Sequence, residues 1–254
     1  MQIELNNQVA LVTGSAHRVG KAIALALAKE GVHMMVHYHH SDAATVRETL
    51  HEIKSEGVQA FAVQADISQP EGIETLFAAF KEHFEELHIL VNSASVFPTA
   101  NFMEITVESW DLAMNVNLRA PFLLTQAAAR WMQNNETGGT IINICDQGAF
   151  APWPKRAHHG ISKYGLWMLT QVSAVALAPQ IRVNAIVPGP ILKSKMSDAA
   201  WKKLGEELPL KQTGQADDVG RAVVYLARES FLTGAKIEVN GGEHLLYPQH
   251  NYDE

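Results

Sequence analysis

Short β-branched and apolar runs alternate along this chain with longer stretches of helical period. QVALVTG (8–14), HMMVHY (33–38), AFAVQAD (60–66), HILVNSA (88–94), GTIINIC (139–145), RVNAIVPG (182–189) and AKIEVNGG (235–242) read as strands. Helices are predicted near 18–30, 42–56, 70–85, 106–133, 157–178 and 216–228, each about the length that a crossover between parallel strands requires. The pattern predicts an α/β fold: a doubly wound sheet of seven parallel strands with helices on both faces, in a single domain spanning 1–254. PGPI (188–191) breaks the alternation, and the segment at about 189–214 reads as a lid over a site. EHLLYPQHNYDE (243–254) reads as a polar tail.

Composition narrows the picture in three ways. With 47 % hydrophobic and 19 % charged residues, the chain can fill an ordinary globular core. The apolar run AIALALA (22–28) is far shorter than the roughly 20 residues of a membrane span, and MQIELNNQ lacks the features of a leader, so a cytoplasmic protein with no membrane partner is expected. A net charge of −7 gives no general affinity for nucleic acid, so an anion site has to be built locally. The single cysteine, Cys145, cannot form an internal disulfide and is expected to pack as a small apolar residue.

The candidate chemistry begins where the first strand meets the first helix. In TGSAHRVGKAIALALAKEG (13–31), Gly14 and Gly20 bracket the turn, and a helix start offers unpaired N–H groups and a positive dipole end to a phosphate. The Gly-x5-Gly spacing is not the G-x-G-x-x-G dinucleotide fingerprint, but Arg18 and Lys21 add positive charge at the helix entry. After the second strand, where such folds read the adenosine ribose, stands His37-Tyr38-His39-His40-Ser41. The first acid, Asp42, falls in the first turn of a helix that Ser41 is expected to cap. Donors from Arg18, His39, His40 and Ser41, with no acid before Asp42, favour NADPH over NADH. The twelve histidines show no zinc-motif spacing, so no metal site is expected.

Taken in order, several motifs resemble the short-chain dehydrogenase/reductase family over nearly the whole chain. They are the turn at 13–20, Asp66 in ADIS, Asn92-Ser93-Ala94, Asn117 in NVNLRAPF, Lys163, and PGP at 188–190. The resemblance implies a Rossmann-type fold and an NADPH-dependent oxidoreductase. Within the family the chain looks most like the pteridine reductases. Arg18 stands in place of the middle glycine of the turn, HYHHS resembles their 2′-phosphate loop, NSASVF (92–97) resembles their pterin-stacking segment, and Asp146 stands where other members have the catalytic serine.

By this resemblance Gly14, Arg18, Val19, Gly20, Ile67, Asn92, Ala94, Ser95, Pro188 and Gly189 would line the cofactor, and Asp66 would bond its adenine. Ser95, Phe97, Asp146 and His159 would meet a pterin-like substrate, Lys163 would fix the ribose, and Asn117 would serve Lys163 through backbone and water. The family's tyrosine, thirteen residues after the serine position and four before the lysine, is His159 here. Three readings stay open: a dihydropteridine reductase in which Asp146 donates or relays the proton, an impaired enzyme that only binds NADPH or pterin, and a carbonyl or 3-oxoacyl reductase. The resemblance also implies a homotetramer, with the helices at 106–133 and 157–178 packing across subunits.

Overall fold

The computed structural model describes residues 2–193 and 196–246. Seven strands form one parallel sheet: β1 (Val9–Val12), β2 (His33–Tyr38), β3 (Ala60–Gln64), β4 (Ile89–Asn92), β5 (Gly139–Ile144), β6 (Ile181–Pro188) and β7 (Lys236–Val239). Their spatial order is β3-β2-β1-β4-β5-β6-β7. The predicted strands are therefore all present, and their near-continuous apolar runs follow from burial of the sheet on both faces. Every residue of β1 and β4 is buried.

Alternation along each strand splits the core in two. Ala10 and Val12 of β1 join Met34, Val36, Ile142 and Ile186 on one face, packed against helices α1 (Arg18–Ala28), α2 (Ala43–Ser55) and α8 (Ala216–Arg228). Val9 and Leu11 join Met35, Leu90, Ile141 and Val183 on the other, packed against α3 (Pro70–His83), α5 (Ala120–Met132) and α6 (Ala157–Ala176). Two layers of helix on one sheet make a single α/β Rossmann domain. The strand order reverses between β1 and β4, so a crevice opens beyond the carboxyl ends of the strands there, and it is this crevice that holds the site.

Two sequence expectations change. The helix expected over 106–133 is interrupted: α4 (Val107–Met114) and α5 are joined by a π-helical turn over Asn115–Arg119. Pro121 explains the break, because it lacks an N–H and its ring crowds the carbonyl four residues earlier, that of Asn117. The first turn of α2 is capped by Asp42 and not by Ser41. Asp42 Oδ1 accepts from the backbone N–H groups of Ala44 and Thr45, both at 2.9 Å. Within the segment expected as a lid lies α7 (Asp198–Glu207), with its start capped by Ser197; positions 194 and 195 of that segment lie outside the described residues. Of the expected tail, 243–245 form a short 3-10 turn, and 247–254 lie outside the described residues. No helix among the described residues is long and apolar enough to cross a membrane.

Candidate active site

A cavity of about 1210 Å³ runs along the carboxyl ends of β1 to β6. At one end is the turn between β1 and α1. Gly20 has to be glycine: a Cβ there would lie 2.2 Å from the Gly14 carbonyl oxygen. Gly14 has φ +64°, and a side chain on it would press on the Ala94 backbone at 3.0 Å. Arg18 also has positive φ, 55°, which is unusual for a residue with a side chain and shows why a glycine suits this position. The N-cap residue His17 makes no side-chain cap, and the first turn of α1 holds no acid. The helix start therefore leaves its N–H groups and dipole open to an anion, as a pyrophosphate requires.

At the other end is the reactive centre, assembled by β5, α6 and the chain after β4. Asp146 follows β5 and starts a 3-10 turn, where its Oδ1 accepts from Gly148 N at 2.7 Å. Its Oδ2 lies 3.6 Å from Nε2 of His159 on α6. His159 Nδ1 is 3.1 Å from the Val96 carbonyl oxygen. A carbonyl only accepts, so Nδ1 carries the ring proton and Nε2 is left without a hydrogen-bond partner. A bare imidazole nitrogen and a bare carboxylate repel at this distance. The pair therefore has a place for one further proton, on Nε2 or on Asp146. Both line the cavity, but His159 is buried and the Asp146 side chain is 27 % exposed, so Asp146 is the more accessible member of the pair.

Lys163, one helical turn beyond His159, is buried and donates from Nζ to the Ile144 carbonyl at 2.8 Å. Burial pushes its pKa down, while Cys145 and Asp146 pull the other way. Phe97 is 47 % exposed and forms a wall of the cavity. The His159 and Phe97 rings stand nearly perpendicular at 4.4 Å between centroids, and the Arg156 guanidinium lies 3.7 Å from the Phe97 ring centroid, a cation–π contact.

A family model described as enoyl-(acyl carrier protein) reductase matches residues 14–244. The chain belongs to the short-chain dehydrogenase/reductase family. Glucose 1-dehydrogenase 2 of Bacillus subtilis is 36 % identical, covering 98 % of both chains. A 3-oxoacyl-[acyl-carrier-protein] reductase of Staphylococcus epidermidis is 32 % identical over 94 % of this chain and 100 % of its own. Among solved structures, the alternative dihydrofolate reductase FolM of Brucella canis, complexed with NADP, superposes with a TM-score of 0.89 at 32 % identity. That match covers 95 % of this chain and 96 % of that one. The landomycin C-6 ketoreductase LanV, with bound NADP and rabelomycin, gives a TM-score of 0.86 at 30 % identity, over 95 % and 98 %.

In this short-chain dehydrogenase/reductase the cavity brings together most of the positions expected from sequence. Gly14, Arg18, Val19, Gly20, His39, His40, Ser41, Asp66, Ile67, Ala94, Ser95, Phe97, Asp146, His159, Lys163, Pro188 and Gly189 all line it. Burial works against the Asp66 carboxylate, but hydrogen bonds from Ser68 outweigh it and hold the pKa below its ordinary value. Asn92 does not line the cavity. Its side chain points into the sheet and donates to Asn143 Oδ1 at 2.8 Å, and Asn143 in turn donates to Thr170 Oγ1 of α6 at 2.9 Å.

Asn117 also sits behind the wall, held inward by the π turn. Its Oδ1 accepts from Val96 N (2.9 Å) and Ser95 Oγ (3.1 Å), and its Nδ2 donates to the Val96 carbonyl (3.0 Å) and Ser162 Oγ (3.1 Å). This carboxamide grips the chain that delivers Val96 to His159 and Phe97 to the cavity. Cys145 packs against Leu166, Ala185 and Val187, with its thiol pKa pushed up to about 12 by burial.

Sequence reasoning did not single out Arg156 or Gln147, which line the cavity beside Asp146; neither belongs to a motif of recognisable spacing. It also passed over His37 as one of several strand-end histidines. The buried His37 ring accepts from Gly14 N at Nδ1 (3.1 Å) and, with its proton on Nε2, donates to the Ala65 carbonyl (3.0 Å). It clamps the glycine turn to the end of β3, and burial lowers its pKa to about 4.

The unfolded imidazole binds a proton near pH 6.5 and the folded one does not. The stability contributed is thus complete above pH 6.5 and is lost as pH falls toward 4, by about 3 kcal/mol in all. Urea midpoints at pH 7.5 and 4.5 are expected to show this loss. The His37→Asn variant should be less stable at pH 7.5 but have a shallower acid limb, and an unchanged limb would exclude the clamp as its source.

Proposed function

We propose that this protein is an NADPH-dependent reductase of 7,8-dihydropteridines, such as dihydromonapterin, dihydrobiopterin or dihydrofolate, giving the tetrahydro form. The reading rests above all on the Asp146–His159 pair, a carboxyl group at the cavity surface backed by a buried imidazole. It stands where other family members carry serine and tyrosine. The open α1 start, the glycine turn and Arg18 suit the pyrophosphate, and His39, His40 and Ser41 suit a 2′-phosphate. Gly189 and Ala94 border the nicotinamide end, and Lys163 would bind the ribose hydroxyls. NADPH, when bound, supplies hydride to the carbon of the substrate's C=N bond.

The chain's own residues supply the proton and the fit. Asp146 hands the proton it shares with His159 Nε2 to the ring nitrogen, and its partly exposed carboxyl takes up a new proton from solvent once the product leaves. Phe97, held by Arg156 and His159 and half exposed, offers aromatic surface at the cavity wall against which a planar bicyclic ring packs. Trp153 beside Phe97, with Trp201 and Leu204 of α7, adds apolar wall, consistent with α7 acting as a lid. A dihydropteridine nitrogen is basic enough to take a proton from a carboxylic acid, whereas a ketone oxygen needs a better-matched donor, which supports the pterin over a carbonyl substrate. Apolar side chains exposed along α6, Ile161, Met168, Val172 and Val175, support association into a homotetramer through that helix.

Steady-state NADPH oxidation with a panel of 7,8-dihydropterins is expected to show turnover. The same panel should include an acetoacetyl thioester, because the glucose dehydrogenase and 3-oxoacyl reductase relatives keep carbonyl reduction as the second reading. Turnover of the thioester alone would favour that reading. NADPH binding with no turnover of any substrate would leave a cofactor-binding protein.

A further inference from the structure

Positive charge beside the presumed 2′-phosphate position comes almost entirely from imidazoles. His17, His39 and His40 line the cavity together with Ser41, and Arg18 is the permanent cation among them. The His39 and His40 rings lie 3.7 Å apart between centroids, tilted by 33°. Ser41 Oγ is 3.2 Å from His17 Nδ1, so the loop after β2 and the turn after β1 meet at the same spot.

The other charged groups around this corner are already engaged. Asp42 Oδ1 accepts from two backbone N–H groups of α2, and its Oδ2 accepts from Thr45 Oγ1 at 2.7 Å. Asp66, at the end of β3, lies 4.0 Å from His39 Nδ1 and accepts from Ser68 N. Lys21 of α1 pairs with Glu52 of α2 at 2.8 Å. His37 is bonded at both nitrogens and held neutral by burial, and Tyr38 beside it is uncharged at neutral pH.

Resting on the NADPH reading above, we propose that selection of a 2′-phosphate over a 2′-hydroxyl is titratable in this protein. Protonated His17, His39 and His40 recognise the phosphate, and the preference weakens as pH rises from 6.5 to 8.5. Imidazole changes charge across this range, whereas arginine does not. A phosphate held against imidazoles favours their protonated forms, so phosphate binding draws protons in. A 2′-hydroxyl offers no such anion, and the carboxylate that would accept from it is spent on the α2 cap.

The test uses the intact protein with NADP+ and NAD+, which differ only in the 2′-phosphate. Calorimetric titrations at pH 6.5 and 8.5 are expected to show the affinity ratio of NADP+ to NAD+ falling at least ~10-fold, about what one charge-assisted contact contributes. At pH 7.5, titrations in buffers of different ionisation enthalpy should show net proton uptake with NADP+ and none with NAD+. His17, His39 and His40 are partly or fully exposed, so the His17→Gln/His39→Arg/His40→Arg variant should fold normally and hold its ratio nearly constant with pH. A wild-type ratio constant within ~2-fold, or a slope that survives in that variant, overturns the proposal. Binding of neither nucleotide overturns the cofactor reading as well.

Discussion

Asp146→Asn is expected to lower kcat for dihydropterin reduction by roughly 10²–10⁴-fold, the usual contribution of a positioned proton donor. An amide keeps the oxygen that Gly148 N requires, so the 3-10 turn after β5 should survive, and thermal stability should stay near wild type. It cannot release a proton, however, and it cannot share one with His159 Nε2 across the 3.6 Å gap. Dinucleotide binding, built at the other end of the cavity, should be little changed. Single-turnover hydride transfer at saturating NADPH measures the effect. A kcat within about threefold of wild type would mean that the proton comes from elsewhere.

Asn117→Ala is expected to damage both stability and turnover. The carboxamide makes four hydrogen bonds to Ser95, Val96 and Ser162 from a fully buried position. Its removal strands Val96 N and leaves a small void in the π turn, at a cost of about 2–4 kcal/mol. The Val96 carbonyl, once loose, no longer fixes the proton on His159 Nδ1, and Phe97 loses its anchored approach. Denaturant unfolding should therefore show the stability loss, and turnover should fall more steeply than NADPH affinity. If turnover and cofactor affinity fell together, Asn117 would be serving the nucleotide rather than the Val96–Phe97 segment.

How far the site was legible in advance differs from residue to residue. His159 could be located because the resembled family's spacing, thirteen residues after the serine position and four before the lysine, leads to it from both Asp146 and Lys163. Arg18 stood out as a charge in a glycine turn, and its positive φ supplies the backbone reason. Ser41 was misread because Ser and Asp are both good caps and stand side by side; Asp42 reaches two N–H groups of α2, while Ser41 turns to His17. The unbroken helix over 106–133 was misread because a π turn keeps helical spacing in the sequence and needs only one widened hydrogen bond.

The sequence by itself determined the sheet, the two helical layers and the end of the strands at which the cavity opens, because periods of 2 and 3.6 and turn residues are local properties. It also determined that an acid and a histidine replace the family's serine and tyrosine. Only the tertiary structure decided what these residues can do. The carbonyl that sets the His159 tautomer arrives from Val96, 63 residues earlier in the chain. The amide that His37 holds arrives from Gly14, 23 residues away. Protonation and tautomer depend on which groups meet in space, and chain folding brings those groups together from segments whose local patterns carry no trace of one another.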